Sequence, residues 1–180
     1  PAGWFARPAS RPEPMPHRGP SQDMAELKLI ALDADDLAVL SAHLQDAVVQ
    51  VADIAYLPKE RRFAAVGNRF DWMAAAGPAE GYARRRAAVR FERVLGAQVQ
   101  AIDLKNKGLV LSLLAVTFEP TAAPEGYITL HFADGGAIRL HVECVEAELK
   151  DLGPIWRVEF KPQHPDGSPV SPGPGKDRST

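Results

Sequence analysis

From Ala47 to Cys144 the chain is a succession of runs rich in Val, Ile, Phe and Tyr, cut by turn clusters rich in Pro, Gly, Asp and Asn. The breaks fall at Leu57-Pro58-Lys59-Glu60, Gly77 to Gly81, Leu95-Gly96, Lys105 to Gly108, Pro120 to Gly126 and Asp134-Gly135-Gly136. A parallel crossover needs about a dozen residues, and most of these links are shorter. Strands are therefore predicted near 47–57, 61–73, 84–94, 97–104, 109–118, 127–133 and 137–144, joined as an antiparallel meander.

One hairpin can be registered from its pattern. Ile128, Leu130 and Phe132 share a face, as do Ile138, Leu140 and Val142, and a one-residue slip would turn either set outward. Pairing Phe132 with Ile138 leaves Asp134-Gly135-Gly136 as the loop. It sets Tyr127, Thr129 and His131 opposite Glu143, His141 and Arg139. The run Leu109 to Val116 is apolar at both parities and reads as a central strand covered on both faces.

Ahead of the strands, Leu27, Leu29 and Ala31 alternate as a short first strand that leads into a helix signal. Asp33 is a good N-cap, Leu32 and Leu37 occupy staple positions, and Leu37, Leu40 and Leu44 form one stripe. A helix is predicted over 34–45. After Cys144, Val145, Leu149 and Leu152 follow helical spacing before Gly153-Pro154, which predicts a short C-terminal helix, with a bent continuing strand as the alternative. The fold class is thus α+β: a curved antiparallel meander sheet or open barrel, one N-terminal helix and a short C-terminal one.

Proline marks the limits of this domain. Six of 16 lie in residues 1–23 and five in 162–180. Those segments lack an apolar period and read as a disordered Pro-rich extension and a disordered Pro/Gly/Ser tail around a single globular domain at 24–161. No run approaches the roughly 18 to 20 apolar residues of a membrane helix, and no signal peptide is apparent, so no membrane partner is expected. A single cysteine excludes an internal disulfide and fits a reducing cytoplasm. The net charge of −2 gives no global attraction to nucleic acid.

Signature motifs for dinucleotides, nucleoside triphosphates, serine hydrolases and zinc are absent. His43 falls off the Leu stripe and reads as a solvated helix residue. His131, His141 and Glu143 share a strand face, but their spacing argues against a metal, and neither metal nor cofactor is predicted. Cys144 falls on the apolar side of its strand and reads as a packing residue.

Charge is laid out unevenly. Nine basic and four acidic residues fall within 59–93, and three basic and seven acidic within 125–159. In RRRAAVRFER, Arg85 shares a parity with Ala87, Val89 and Phe91, while Arg84, Arg86 and Arg90 share the other. Two accounts compete. The arginines pair with Glu143, Glu146 or Glu148 across the sheet, or they form a binding face with Arg69, Phe70 and Trp72.

The segments LKLIALDADDLAVLSAHLQDAVVQVADIAYLPKERRFA, NRFDW, RRRAAVRFERV, LVLSLLAVTFEP and GGAIRLHVECVEAELKDLGP resemble an uncharacterised alphaproteobacterial domain-of-unknown-function family, DUF2948. The resemblance spans about Met24 to Pro154. It implies a small bacterial cytoplasmic protein and carries over no catalytic residue, cofactor or partner. Met73 follows NRFDW where the family pattern implies a glutamate. The expected function is a non-catalytic binding or assembly module with an unknown protein partner, its oligomeric state open. The alternatives are RNA or phosphate binding through the Arg-rich face, and an enzyme with an unrecognised site.

Overall fold

The computed structural model describes residues 26–71 and 82–158, with side chains over 26–71 and 83–153. The two terminal segments, Trp72 and Met73 lie outside the described residues. In chain order the elements are β1 (Lys28–Ala31), α1 (Ala34–Leu44), β2 (Val48–Leu57), β3 (Arg62–Phe70), β4 (Tyr82–Phe91), β5 (Val94–Gln100), β6 (Val110–Pro120), β7 (Gly126–Phe132), β8 (Ala137–Val142) and β9 (Ala147–Val158).

The helix forms where its cap demands. Asp33 accepts the Asp36 N–H at 2.8 Å, and the Asp36 carboxylate reaches back to the Leu32 N–H at 3.1 Å. Both acids sit at the positive end of the helix dipole. Leu37, Leu40 and Leu44 are buried, each contributing about 1.5–3 kcal/mol on transfer from water. Leu32 remains 65% exposed, so the staple onto Leu37 contributes little.

Among the described residues, nine strands form one unclosed sheet in the order β1-β9-β4-β3-β2-β6-β7-β8-β5, with every neighbouring pair antiparallel. With the one α-helix described, this is the expected α+β class, consistent with a curved sheet. The meander holds within β2-β3-β4 and β6-β7-β8; β9 enters between β1 and β4, and β5 runs to the far edge beside β8. One core cluster runs from Leu37, Leu40 and Leu44 of α1 through Phe63, Phe91 and Leu149 to Ile128, Leu130, Ile138 and Leu140. No helix among the described residues is long and apolar enough to cross a membrane.

Four local expectations need correction. The short C-terminal helix is strand β9: Val145, Ala147, Leu149 and Asp151 are buried alternately, and Leu152, which completed the helical spacing, is exposed. A period of two wins there because β1 and β4 supply ladder partners on both sides.

The β7–β8 hairpin keeps its predicted faces but moves by two residues, with Leu130 opposite Ile138 and Ile128 opposite Leu140. Asp134 and Gly135 take positive φ of 62° and 78°, so the turn is Ala133–Gly135, closed by the Phe132 N–H donating to the Gly136 carbonyl at 2.8 Å.

The β4–β5 turn lies at Glu92-Arg93, with Arg93 at φ 57°, and Leu95 falls instead at a register shift within β5. Finally, β6 is central but covered on one face only. Leu111, Leu113 and Val116 are buried while Val110 and Leu114 are about half exposed. Helix α1 packs on the inner face, where Ser41 Oγ accepts the Val116 N–H at 2.8 Å.

Candidate functional site

The arginines separate into two populations by strand parity. On β3, Phe63, Ala65 and Arg69 are buried; on β4, Arg85, Ala87, Val89 and Phe91 are buried. Arg69 and Arg85 stand directly opposite one another on the core side. Two like charges there would repel strongly in a medium of low dielectric, and Asp71, just past the end of β3, and Asp151 of β9 meet them.

Asp151 of β9 takes Arg69 in a two-point bridge, Nε to Oδ1 at 2.7 Å and Nη2 to Oδ2 at 2.9 Å. Arg85 Nε donates to Asp71 Oδ2 at 2.6 Å and lies 3.8 Å from Asp151 Oδ2. Asp151 Oδ2 also accepts the Leu27 N–H at 2.8 Å, and its own N–H donates to the Leu27 carbonyl at 2.9 Å. The quartet is formally neutral. No buried side-chain N or O atom among the described residues lacks a hydrogen-bond partner.

Arg69 and Phe70 are thus interior, away from any surface stripe, and Trp72 lies outside the described residues. Arg84 donates to the carbonyls of Asp46 and Asn68 at 3.2 and 3.4 Å. Arg90 pairs with Glu148 at 3.2 Å and approaches Glu92 at 3.6 Å. Arg86 is exposed and makes no ion pair among the described residues. Glu143 and Glu146 serve other arginines: Arg61 bridges to Glu143, and Arg93 Nε reaches Glu146 at 3.0 Å. Much of the charge asymmetry of the sequence is met by ion pairs among the described residues.

His43, in the last turn of α1, is half-buried beside the quartet, which corrects its reading as a solvated residue. Burial lowers its pKa below the ordinary 6.5, and Arg69 lowers it further, against the opposing pull of Asp71 and Asp151. The unfolded chain therefore takes up the proton first, so His43 favours folding above pH 6.5 and this contribution is lost as pH falls through the depressed folded value. The thermal midpoint is expected to fall on acidification below pH 6.5, and His43→Gln to flatten that part of the profile. Identical profiles for the two proteins would remove His43 as the cause.

The opposite end of the sheet carries the open site. Beside edge strand β5 lies a groove of about 820 Å³, lined by Gln98, Gln100, Glu119, Thr129, His131 and Arg139 among others. Its side chains are held by one another. The Arg139 guanidinium sits 4.0 Å over the Tyr127 ring and donates to Glu119 at 3.1 Å; Thr117 Oγ1 and His131 Nε2 are 2.8 Å apart. His141 stacks on Tyr127 at 5.0 Å and meets Glu125 at 2.7 Å.

His131 opposes Ala137 while His141 opposes Tyr127, which separates the two rings by four residue steps, roughly 13 Å along the strand. With Glu143 bridged to Arg61, no group of three metal-ligating side chains forms among the described residues. Cys144 lies past the end of β8, partly exposed; Val145 takes the buried position that the sequence suggested for the thiol.

Sequence reasoning did not identify β5 as an edge of the sheet. The available signal was composition: Val94-Leu95-Gly96-Ala97-Gln98-Val99-Gln100 holds no charge and no proline. A family model described as a protein of unknown function, DUF2948, matches residues 27–164. No curated protein and no solved structure matches the chain.

Proposed function

We propose, for a chain that belongs to the DUF2948 family of proteins of unknown function, a non-catalytic binding or assembly role toward a protein partner, exercised along the open edge of β5 and its adjoining groove. The observation that carries this reading is the difference between the two sheet edges. An unpaired edge strand offers its backbone N–H and C=O groups to another chain, and proteins blunt such edges with charge, proline, brevity or bulges. Edge β1 is four residues long and carries Lys28. Edge β5 is seven residues long and uncharged, with Leu95 and Val99 each 41% exposed; its Val94 N–H donates to the Arg61 carbonyl at 2.8 Å and its one irregularity falls at Leu95, which leaves Gly96–Gln100 as the regular, open stretch.

Strand addition at such an edge draws affinity from the backbone and specificity from neighbouring side chains, which the groove supplies as Gln98, Gln100, His131 and Arg139. Nucleic acid recognition would need unpaired basic groups, and the pairing of Arg69, Arg85 and Arg90 argues against it.

The test uses the full chain as bait after nuclease treatment, with proteins quantified. Val99→Lys places a charge on the edge and is expected to reduce capture of the specific partner at least about tenfold, equivalent to ~1.4 kcal/mol. The Arg84→Ala/Arg86→Ala/Arg90→Ala variant is expected to keep it. Capture unchanged by Val99→Lys, or RNA retained by the unmodified bait and lost with the arginine variant, would overturn the reading.

A further inference from the structure

We propose that the outer face of β1, β9 and β4 holds a phosphate group of a small soluble molecule, bound by Lys28, Lys150 and Arg86 above the Ala88 methyl. The site lies at the other end of the sheet order from β5 and stands apart from the edge reading.

The ladders bring these side chains together. Lys28 of β1 stands directly opposite Lys150 of β9, and Lys150 stands directly opposite Ala88 of β4, so the three share a face. Both lysines are exposed, while Ala31, Leu149 and Val89 take the core side of the same strands. Arg86 follows on β4, two residues from Ala88 on the same face and opposite Asn68 of β3. Directly opposed residues have Cβ atoms about 4.5–5.5 Å apart, and diagonal ones remain within reach of long side chains. Two ammonium groups and a guanidinium can therefore close over a methyl that leaves room for an anion between them.

The arrangement is unfavourable by itself, because like charges directly opposite in a sheet are destabilising. Other cations on this face are matched, Arg90 with Glu148 and Arg62 with Glu92. Lys28, Lys150 and Arg86 make no ion pair among the described residues. Glu148, two residues along β9 from Lys150, is taken by Arg90; Glu26, two residues before Lys28, is exposed and bridges to neither lysine. Three cations against that one free carboxylate leave two positive charges uncompensated, and a phosphate group carries about that much negative charge at neutral pH. Lys28 alone could be the charge that protects a sheet edge. That account does not extend to Lys150 or Arg86, which lie on the interior strands β9 and β4.

The extent of the patch selects the ligand. Across β3 the face continues with Val66, and along β4 Arg84 turns to the Asp46 and Asn68 carbonyls while Arg90 is held by Glu148. A nucleic acid strand presents one phosphate after another and needs a row of free cations to follow it. One bounded group of three suits a single tetrahedral anion. The guanidinium can give it two parallel N–H donors, and the ammonium groups turn to suit.

The test is the thermal midpoint of the full chain at neutral pH as sodium phosphate replaces sodium chloride at constant ionic strength. Wild type is expected to gain about 2 °C or more, saturating at millimolar phosphate, because an anion that binds only the folded chain stabilises it by mass action. Lys150→Gln and Lys28→Gln are expected to lose most of that gain. Lys59→Gln removes an exposed lysine from the turn between β2 and β3 and is expected to keep it, which controls for total charge. In dilute chloride without phosphate, Lys150→Gln is expected to melt above wild type, since it relieves the repulsion.

A phosphate gain of equal size in every variant would reduce the effect to general salt stabilisation and remove the site. A lower midpoint for Lys150→Gln in phosphate-free buffer would show that the lysine supports the fold, and would also count against the proposal. RNA retained by wild type at physiological salt and lost in Lys150→Gln would overturn the small molecule as occupant.

Discussion

Asp151→Ala is expected to destabilise the protein by about 3–5 kcal/mol, the loss that follows when one partner of a buried ion pair is removed and the other remains. Asp151 is 1% exposed and is shared by Arg69, Arg85 and the Leu27 N–H. Its removal leaves Arg69 of β3 without its two-point partner on β9, and it also unhooks the entry to β1. The measurement is the midpoint of urea unfolding at constant slope. Asp151→Asn preserves shape and some hydrogen bonding while removing the charge, and is expected to fall between wild type and Ala. Joint replacement by Arg69→Met and Asp151→Leu is expected to recover much of the loss, because a buried ion pair and a packed apolar pair of similar volume differ little in stability. A loss below about 1 kcal/mol for Asp151→Ala would mean that water reaches the arginines and that the quartet is not desolvated.

Phe91→Ala is expected to cost about 3–5 kcal/mol by the same measurement, through lost burial and the cavity left behind. The ring is fully buried, stands opposite Phe63 on β3 and Ala147 on β9, and packs on the Phe63 ring at 6.2 Å between centroids. Neither neighbouring backbone can follow it inward, because both are fixed by their ladders with β4. Phe91→Leu keeps most of the volume and is expected to cost clearly less. Equal losses for Ala and Leu would point to ring geometry rather than volume as the origin.

What could be read from the sequence divides along the line between local and distant causes. Helix α1 was legible because its cap, its acidic first turn and its Leu stripe all lie within a dozen residues. The parity of β4 was legible for the same reason, and Arg85 was placed correctly with Ala87, Val89 and Phe91. The destination of that arginine was hidden, since it depends on Asp71 and on Asp151, which arrives from a strand at the other end of the chain.

Asp151 itself disguised β9: a carboxylate at a core position breaks the apolar alternation, and the remaining Val145, Leu149 and Leu152 happen to match helical spacing. The hairpin slip has a smaller cause, the willingness of Asp134 to adopt positive φ, which moves the turn by one residue and the ladder by two. The open edge at β5 was invisible for a topological reason. A strand becomes an edge only through the order in which all the others pair, and no local pattern records that order.

The position of β9 also governs when the molecule can exist at all. Residues 28–31 hydrogen-bond to residues 147–150, and β4 uses the other side of the same strand. During vectorial synthesis β1 is made first and waits without a partner, while β4 carries a bare flank until β9 leaves the ribosome. The β2–β4 and β6–β8 meanders can form early from neighbours in the chain, but they cannot be welded to the amino end before that moment. Assembly thus depends on a pairing between distant parts of the chain, of the non-local kind that slows folding and leaves strands exposed to mispairing while they wait. Until β9 is made, β1 and one flank of β4 lack their ladder partner and stay open to wrong pairing.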